Sequence, residues 1–154
     1  MKPKIITRPG FTVIGMQYSG RLPWKIPKLW RTFGPRISEI ENVNNPKISY
    51  GLTNTYQEGK GFTYIACVEV SGVTKIPVDM VSVNVPQQQY VVFPNNLATY
   101  RKVYMNIRKK WIPENGYKLT MGPEFEVYDE SYNPNDRHSE FEMYIPVEQE
   151  GYPP

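Results

Sequence analysis

Apolar and polar residues alternate along FTVIGMQ (11–17) and give way to the turn-forming YSGRLP, so the first element predicted is a strand. The period then changes. Leu29, Trp30, Phe33, Ile37 and Ile40 recur at helical steps and make one apolar stripe, with Pro27 in the first turn, where a missing N–H costs little. Gly34-Pro35 interrupts that stripe and predicts a kink or a restart. ISYGLTNTY (48–56) and FTYIACVEV (62–70) return to strand chemistry around the glycine-bearing turn QEGKG, and MVSVNV (80–85) is a further extended segment.

The same order then comes round again. QQYVVF (88–93) reads as a strand, and Asn95-Asn96 supply a helix N-cap. Leu97, Tyr100, Tyr104, Ile107 and Trp111 fall on one helical face, and Pro113 and Gly116 end the helix. EFEVY (124–128) and SEFEMYIPV (139–147) close the chain as a hairpin around DESYNPNDRH, with a loose tail after position 147. Strand-helix-strand-strand therefore occurs twice, without residue-level identity between the copies. The expected fold is α+β: one domain over residues 1–154 with its core in 5–148, built from two tandem modules. Its sheet is largely antiparallel, both helices lie on one face, and a pseudo-twofold leaves a central cavity at their seam.

Composition narrows the chemistry. Aromatic residues make up 14% of the 154, including 12 Tyr, a surplus that suits binding surfaces as well as cores. A net charge of +3 is too small to argue for nucleic acid or an anionic membrane, and Arg101, Lys102, Arg108, Lys109 and Lys110 read as a solvated helix face. One cysteine excludes an internal disulfide and a thiolate metal cluster; Cys67, in TYIACVEV, is expected as a buried thiol. The one histidine, His138, lies in a polar loop, which leaves no histidine triad and no histidine metal cluster. No cofactor is expected. Without a secretory leader or an apolar run near the ~20 residues that span a bilayer, the expected location is the cytoplasm, with no membrane partner.

In EFEVY, period two puts Glu124, Glu126 and Tyr128 on one face and Phe125 and Val127 on the other. Alternation alone favours solvent for Glu126, because buried strand glutamates are rare. Glu124 reads as solvated near the strand end.

FTVIGMQ, IPKLWRTF, ISYGLTN, FTYIACVEV, PQQQYVVF, WIPENGY, PEFEVYDE and FEMYIPVE, in that order over about residues 5 to 148, resemble the GyrI-like small-molecule-binding family. That family includes the effector-binding domains of BmrR-type and Rob-type transcription regulators. The resemblance implies a ligand cavity between the two modules, with an acid deep inside it that meets hydrophobic cationic compounds. Glu126 matches the acid and Tyr50 an aromatic wall; Trp111, Tyr90 and Phe141 join them as candidate ligand-binding residues. Because Phe11 already belongs to a strand, no room remains for a helix-turn-helix, so a stand-alone domain without direct DNA binding is expected. The resemblance leaves two alternatives, a hydrolase of electrophilic small molecules using Glu126 as general acid or base, and an inhibitory protein partner of a DNA enzyme.

Overall fold

In the computed structural model, which describes residues 2–57 and 61–151, the β-branched and aromatic runs are strands and the two apolar stripes are helices. Most of the QEGKG turn and the end of the tail lie outside the described residues. Module one comprises β2 (Phe11–Gly20), α1 (Ile26–Phe33), β3 (Ser49–Gln57) and β4 (Gly61–Val70). Module two comprises β6 (Gln88–Asn95), α2 (Tyr100–Asn106), β8 (Glu124–Tyr128) and β9 (Phe141–Gln149). Three short strands accompany them: β1 (Lys4–Arg8), β5 (Val81–Val85) and β7 (Tyr117–Leu119). The sequence reading missed β1 and β7; each is only three to five residues long, too short for a periodic pattern to stand out.

Strand order is β1-β6-β9-β8-β3-β4-β2-β5, with β7 beside β9, and the strand pairs are antiparallel throughout. Each half presents the same pattern, β3-β4-β2 with β5 outside and β8-β9-β6 with β1 outside. The halves join where β3 meets β8. Five residue pairs run from Ser49↔Tyr128 to Thr53↔Glu124, and Gly51↔Glu126 is the central one. The pseudo-twofold therefore passes through Gly51 and Glu126, so the glycine occupies in module one the place the acid holds in module two.

One row of side chains crosses the sheet through that point: Met16, Ala66, Gly51, Glu126, Met143 and Phe93. Directly opposed residues in an antiparallel pair share a face. Met16 and Ala66 pack in the cluster under α1, and Met143 and Phe93 pack in the cluster under α2. Both helices thus cover the same face, one on each half, and Glu126 lies under the seam between them.

The other face needs no helix because the sheet curls onto itself. Only Pro9 and Gly10 separate β1 at one end of the strand order from β2 near the other, and Pro86-Gln87 likewise join β5 to β6. Two residues reach only ~7–10 Å. The concave face closes over Phe11, Tyr50, Leu52, Ile65, Tyr90 and Phe125, all buried.

The helices differ from the sequence expectation in detail. At Gly34 the α-helix tightens into a 3-10 turn that runs to Glu39, which agrees with the expected break. Helix α2 begins at Tyr100, later than Asn95-Asn96 suggested, because β6 extends through Asn95. The two asparagines cap the intervening turn instead: Asn95 Oδ1 accepts from the Asn96 N–H and Asn96 Oδ1 from the Thr99 N–H, at 2.8 and 2.9 Å. Leu97 is exposed as a result and leaves the apolar face. Residues Ile107–Trp111 form a widened π turn and Ile112–Glu114 a last helical turn. Pro113 lacks the N–H that would bond the Lys109 carbonyl, and the widened turn before it accommodates that loss. Gly116, at φ 80°, supplies the left-handed stop.

Candidate functional site

Strand β8 aims Glu126 at the helix seam, and the residue is buried at 8% exposure. Solvent exposure, favoured by alternation alone, is overturned by tertiary packing: the polar-looking face of EFEVY is the face the helices cover. Tyr100 Oη, from the first turn of α2, donates to Glu126 Oε2 at 2.6 Å. Tyr128 Oη, two residues along β8, donates to Oε1 at 2.9 Å. Both carboxylate oxygens are therefore held by neutral hydroxyls, and among the described residues no Lys or Arg forms an ion pair with Glu126.

Desolvation pushes the Glu126 carboxyl above its usual range, the two tyrosine donors pull it back, and neighbouring Glu124 adds a smaller upward push. Burial and the Glu126 charge together drive the Tyr100 and Tyr128 hydroxyls upward, so both stay protonated donors. The acid is uncompensated by charge although satisfied in hydrogen bonds.

Gly51 makes the close approach possible. A Cβ there would collide with Tyr64 Oη and lie 3.0 Å from Glu126 Oε1. Tyr64, from β4, thus reaches the acid across the glycine, and Trp30 Nε1 of α1 donates to its hydroxyl at 3.0 Å. Trp30 also meets Tyr128 edge to face at 5.7 Å. Further rings extend outward. Phe141 lies 5.2 Å from Tyr128 and 6.1 Å from Tyr100, and Tyr132, from the β8–β9 connection, lies 4.7 Å from Tyr128. Both helices and three strands contribute to this one cluster.

A second acid stands beside it. Glu124 shares the face of Glu126, and Tyr104 Oη donates to its Oε1 at 2.6 Å. Arg108 Nη1 lies 3.4 Å from Glu124 Oε2 and 2.9 Å from Tyr104 Oη. Glu124 is not the solvated strand-end residue expected; burial raises its carboxyl, opposed by the Tyr104 donor and the Arg108 charge.

Of the five ligand-binding candidates named from sequence, the structure brings Glu126 and Phe141 together. Tyr50 and Tyr90 lie on the opposite, concave face, because Tyr50 is the neighbour of Gly51 and strand residues alternate. There Tyr50 accepts from Arg8 Nη2 at 3.3 Å, and Arg8 pairs with Glu69 at 3.0 Å. Trp111 packs in the cluster under α2, but eleven residues, roughly 15 Å of helix, separate it from Tyr100. Sequence reasoning did not select Tyr100, Tyr128, Tyr64, Trp30 or Tyr132. Two signals were available: Tyr128 shares the face of Glu126 by alternation, and Tyr100 sits on the apolar stripe of its helix.

Residues 4–147 match the family model described as Cass2, integron-associated effector binding protein. The chain belongs to that family. This agrees with the GyrI-like resemblance read from the motifs. The transcriptional regulator BrlR of Pseudomonas aeruginosa is 34% identical over 155 residues, which cover 96% of this chain and 56% of BrlR. Among solved structures, the Vibrio cholerae integron cassette protein VCH_CASS2 matches with a TM-score of 0.66 at 20% identity, covering 95% of each chain. SAV2435 bound to tetraphenylphosphonium matches with a TM-score of 0.68 at 18% identity, over 96% of this chain and 94% of that one. At such identities the Cass2 likeness to these structures is a likeness of fold. Among the described residues no helix is long and apolar enough to cross a membrane.

Proposed function

We propose that this effector-binding domain holds hydrophobic organic cations at the seam between its helices, with Glu126 as counter-charge and Tyr100, Tyr128, Tyr64, Trp30 and Phe141 as walls. The observation that carries it is a buried carboxylate, raised by desolvation, whose partners are neutral hydroxyls and not a cation. An uncompensated buried charge is costly, and a guest that brings the opposite charge without a tight hydration shell relieves that cost. Each ring face the cation lies over adds ~0.5–2 kcal/mol. Charge and flatness are thereby selected more than outline, which gives broad specificity.

Access is through the outer rings. Tyr100, Tyr128 and Tyr132 are half-buried, and rotation about their side-chain bonds opens the way to the acid without moving the sheet. The tetraphenylphosphonium complex of SAV2435, a protein of the same fold, is consistent with a guest of this kind. Calorimetric titration tests the proposal with tetraphenylphosphonium and with triphenylphosphine oxide, a neutral relative carrying the same aromatic rings. Saturable binding of the cation, well ahead of the oxide, is expected. Equal affinity for both would remove the carboxylate from the explanation.

A further inference from the structure

Strand and helix repeats coincide beside the acid. Alternate strand residues are ~6.7 Å apart, and residues one helical turn apart are ~6 Å apart. Glu124 and Glu126 therefore face Tyr100 and Tyr104 as two matched pairs, each closed by a 2.6 Å hydrogen bond, and the two tyrosine rings stack at 6.0 Å. The pairs differ in one respect. Glu124 has a cation, Arg108, one turn beyond Tyr104 on the same helix face; among the described residues Glu126 pairs with none. Arg108 also lies over the Tyr104 ring, 5.3 Å from its centre, so its guanidinium covers the aromatic surface a guest would need. Glu124 and Arg108 retain 25% and 34% side-chain exposure, which places the neutralised pair on the solvent side of the buried acid.

Resting on the cation-binding role of Glu126, we propose that Arg108 sets the number of charges the site accepts. By neutralising Glu124 it leaves a single unbalanced acid, so singly charged guests are preferred over guests with two charges spaced like the two glutamates. The guanidinium is tethered in the place where the second positive charge of a dication would lie. Removing it exposes a second acid–tyrosine pair in register with the first. Removing Glu124 instead leaves the Arg108 charge unopposed at the rim, which repels a dication further.

N-Methyl-4-phenylpyridinium and methyl viologen make a suitable probe pair, with the same two-ring framework and one against two charges. Binding is measured by calorimetry at about pH 8, well above the ordinary carboxylate range. The ratio of the two dissociation constants is compared for the unmodified protein, Arg108→Gln and Glu124→Gln, with thermal melting as the check on folding. Arg108→Gln is expected to shift the ratio on the order of fivefold toward the dication, and Glu124→Gln to shift it the other way. A purely structural role for Arg108 changes both affinities together and leaves the ratio alone, which overturns the proposal even if one variant is poorly folded and only the other can be read. Loss of discrimination against neutral guests, or indifference to Glu126→Gln, sinks the cation site itself and this inference with it. An unmoved ratio beside intact dependence on Glu126 sinks the inference only.

Discussion

Replacing Glu126 by Gln separates charge from shape. The amide keeps both tyrosine contacts, since its oxygen accepts from one hydroxyl and its NH2 donates to the other. Only the charge is lost. For a cation centre ~5 Å from the carboxylate at an effective dielectric of ~20, the gross attraction is about 3 kcal/mol. Part of that is spent on desolvating the guest, leaving about 2 kcal/mol, or roughly thirtyfold in Kd. Titration calorimetry with tetraphenylphosphonium reads this directly. The unbound protein responds in the opposite sense. The folded Glu126 carboxyl lies above its unfolded value, so the folded state keeps its proton to higher pH than the unfolded state does. Stability from this group is therefore greatest below the ordinary carboxylate range and falls as pH rises through the raised folded value. Above the raised folded value the Gln variant should melt at a higher temperature than the unmodified protein, and the difference between the two should shrink on acidification. An unchanged Kd together with a lowered melting temperature would refute both halves of this reasoning.

Gly51→Ala should destabilise the fold by about 2 kcal/mol or more and weaken cation binding, because the new methyl meets Tyr64 Oη and crowds Glu126; denaturant titration and calorimetry check it. Tyr90 is fully buried and its hydroxyl has no hydrogen-bond partner among the described residues, so Tyr90→Phe should be neutral or stabilising by up to ~1 kcal/mol in a thermal melt. Burial pushes the Cys67 thiol well up, and it is fully enclosed; a thiol reagent should leave it unmodified in the native protein and react on unfolding. Arg8→Met should cost about 1–2 kcal/mol by leaving Glu69 without its ion pair, while leaving cation binding unchanged, because this cluster lies on the other face of the sheet.

Much of the architecture was legible because it is written in local periodicity. The switch between period two and period 3.6 located both helices and the six principal strands, and their repeated order implied two antiparallel modules before any pairing was known. Element edges were less legible. Asn95-Asn96 looked like a cap and do cap a turn, yet the strand before them runs on through Asn95, because pairing with Phe141 in β9 outweighs local preference.

The site divides along the same line. Alternation correctly put Glu124, Glu126 and Tyr128 together, but a period-two pattern names two faces without saying which is covered. Tyr50 shows the consequence: it neighbours the central glycine in sequence, and that adjacency turns it to the far side of the sheet. Trp30 and Tyr100 lie 70 positions apart and looked like core filling on separate helices. Contact across the seam is a long-range property that no window of residues contains.

By itself the chain determined its elements, their order, the twofold repetition and the family they announce, since each depends on propensity and on periods a few residues long. Only the tertiary structure decided that the wet-looking face of β8 is the covered one. It also decided that Gly51 lets Tyr64 approach Glu126, and that Arg108 balances one acid and leaves the other. Burial and counter-charge depend on what lies across the sheet, and that is settled by packing between halves whose partners are distant in sequence.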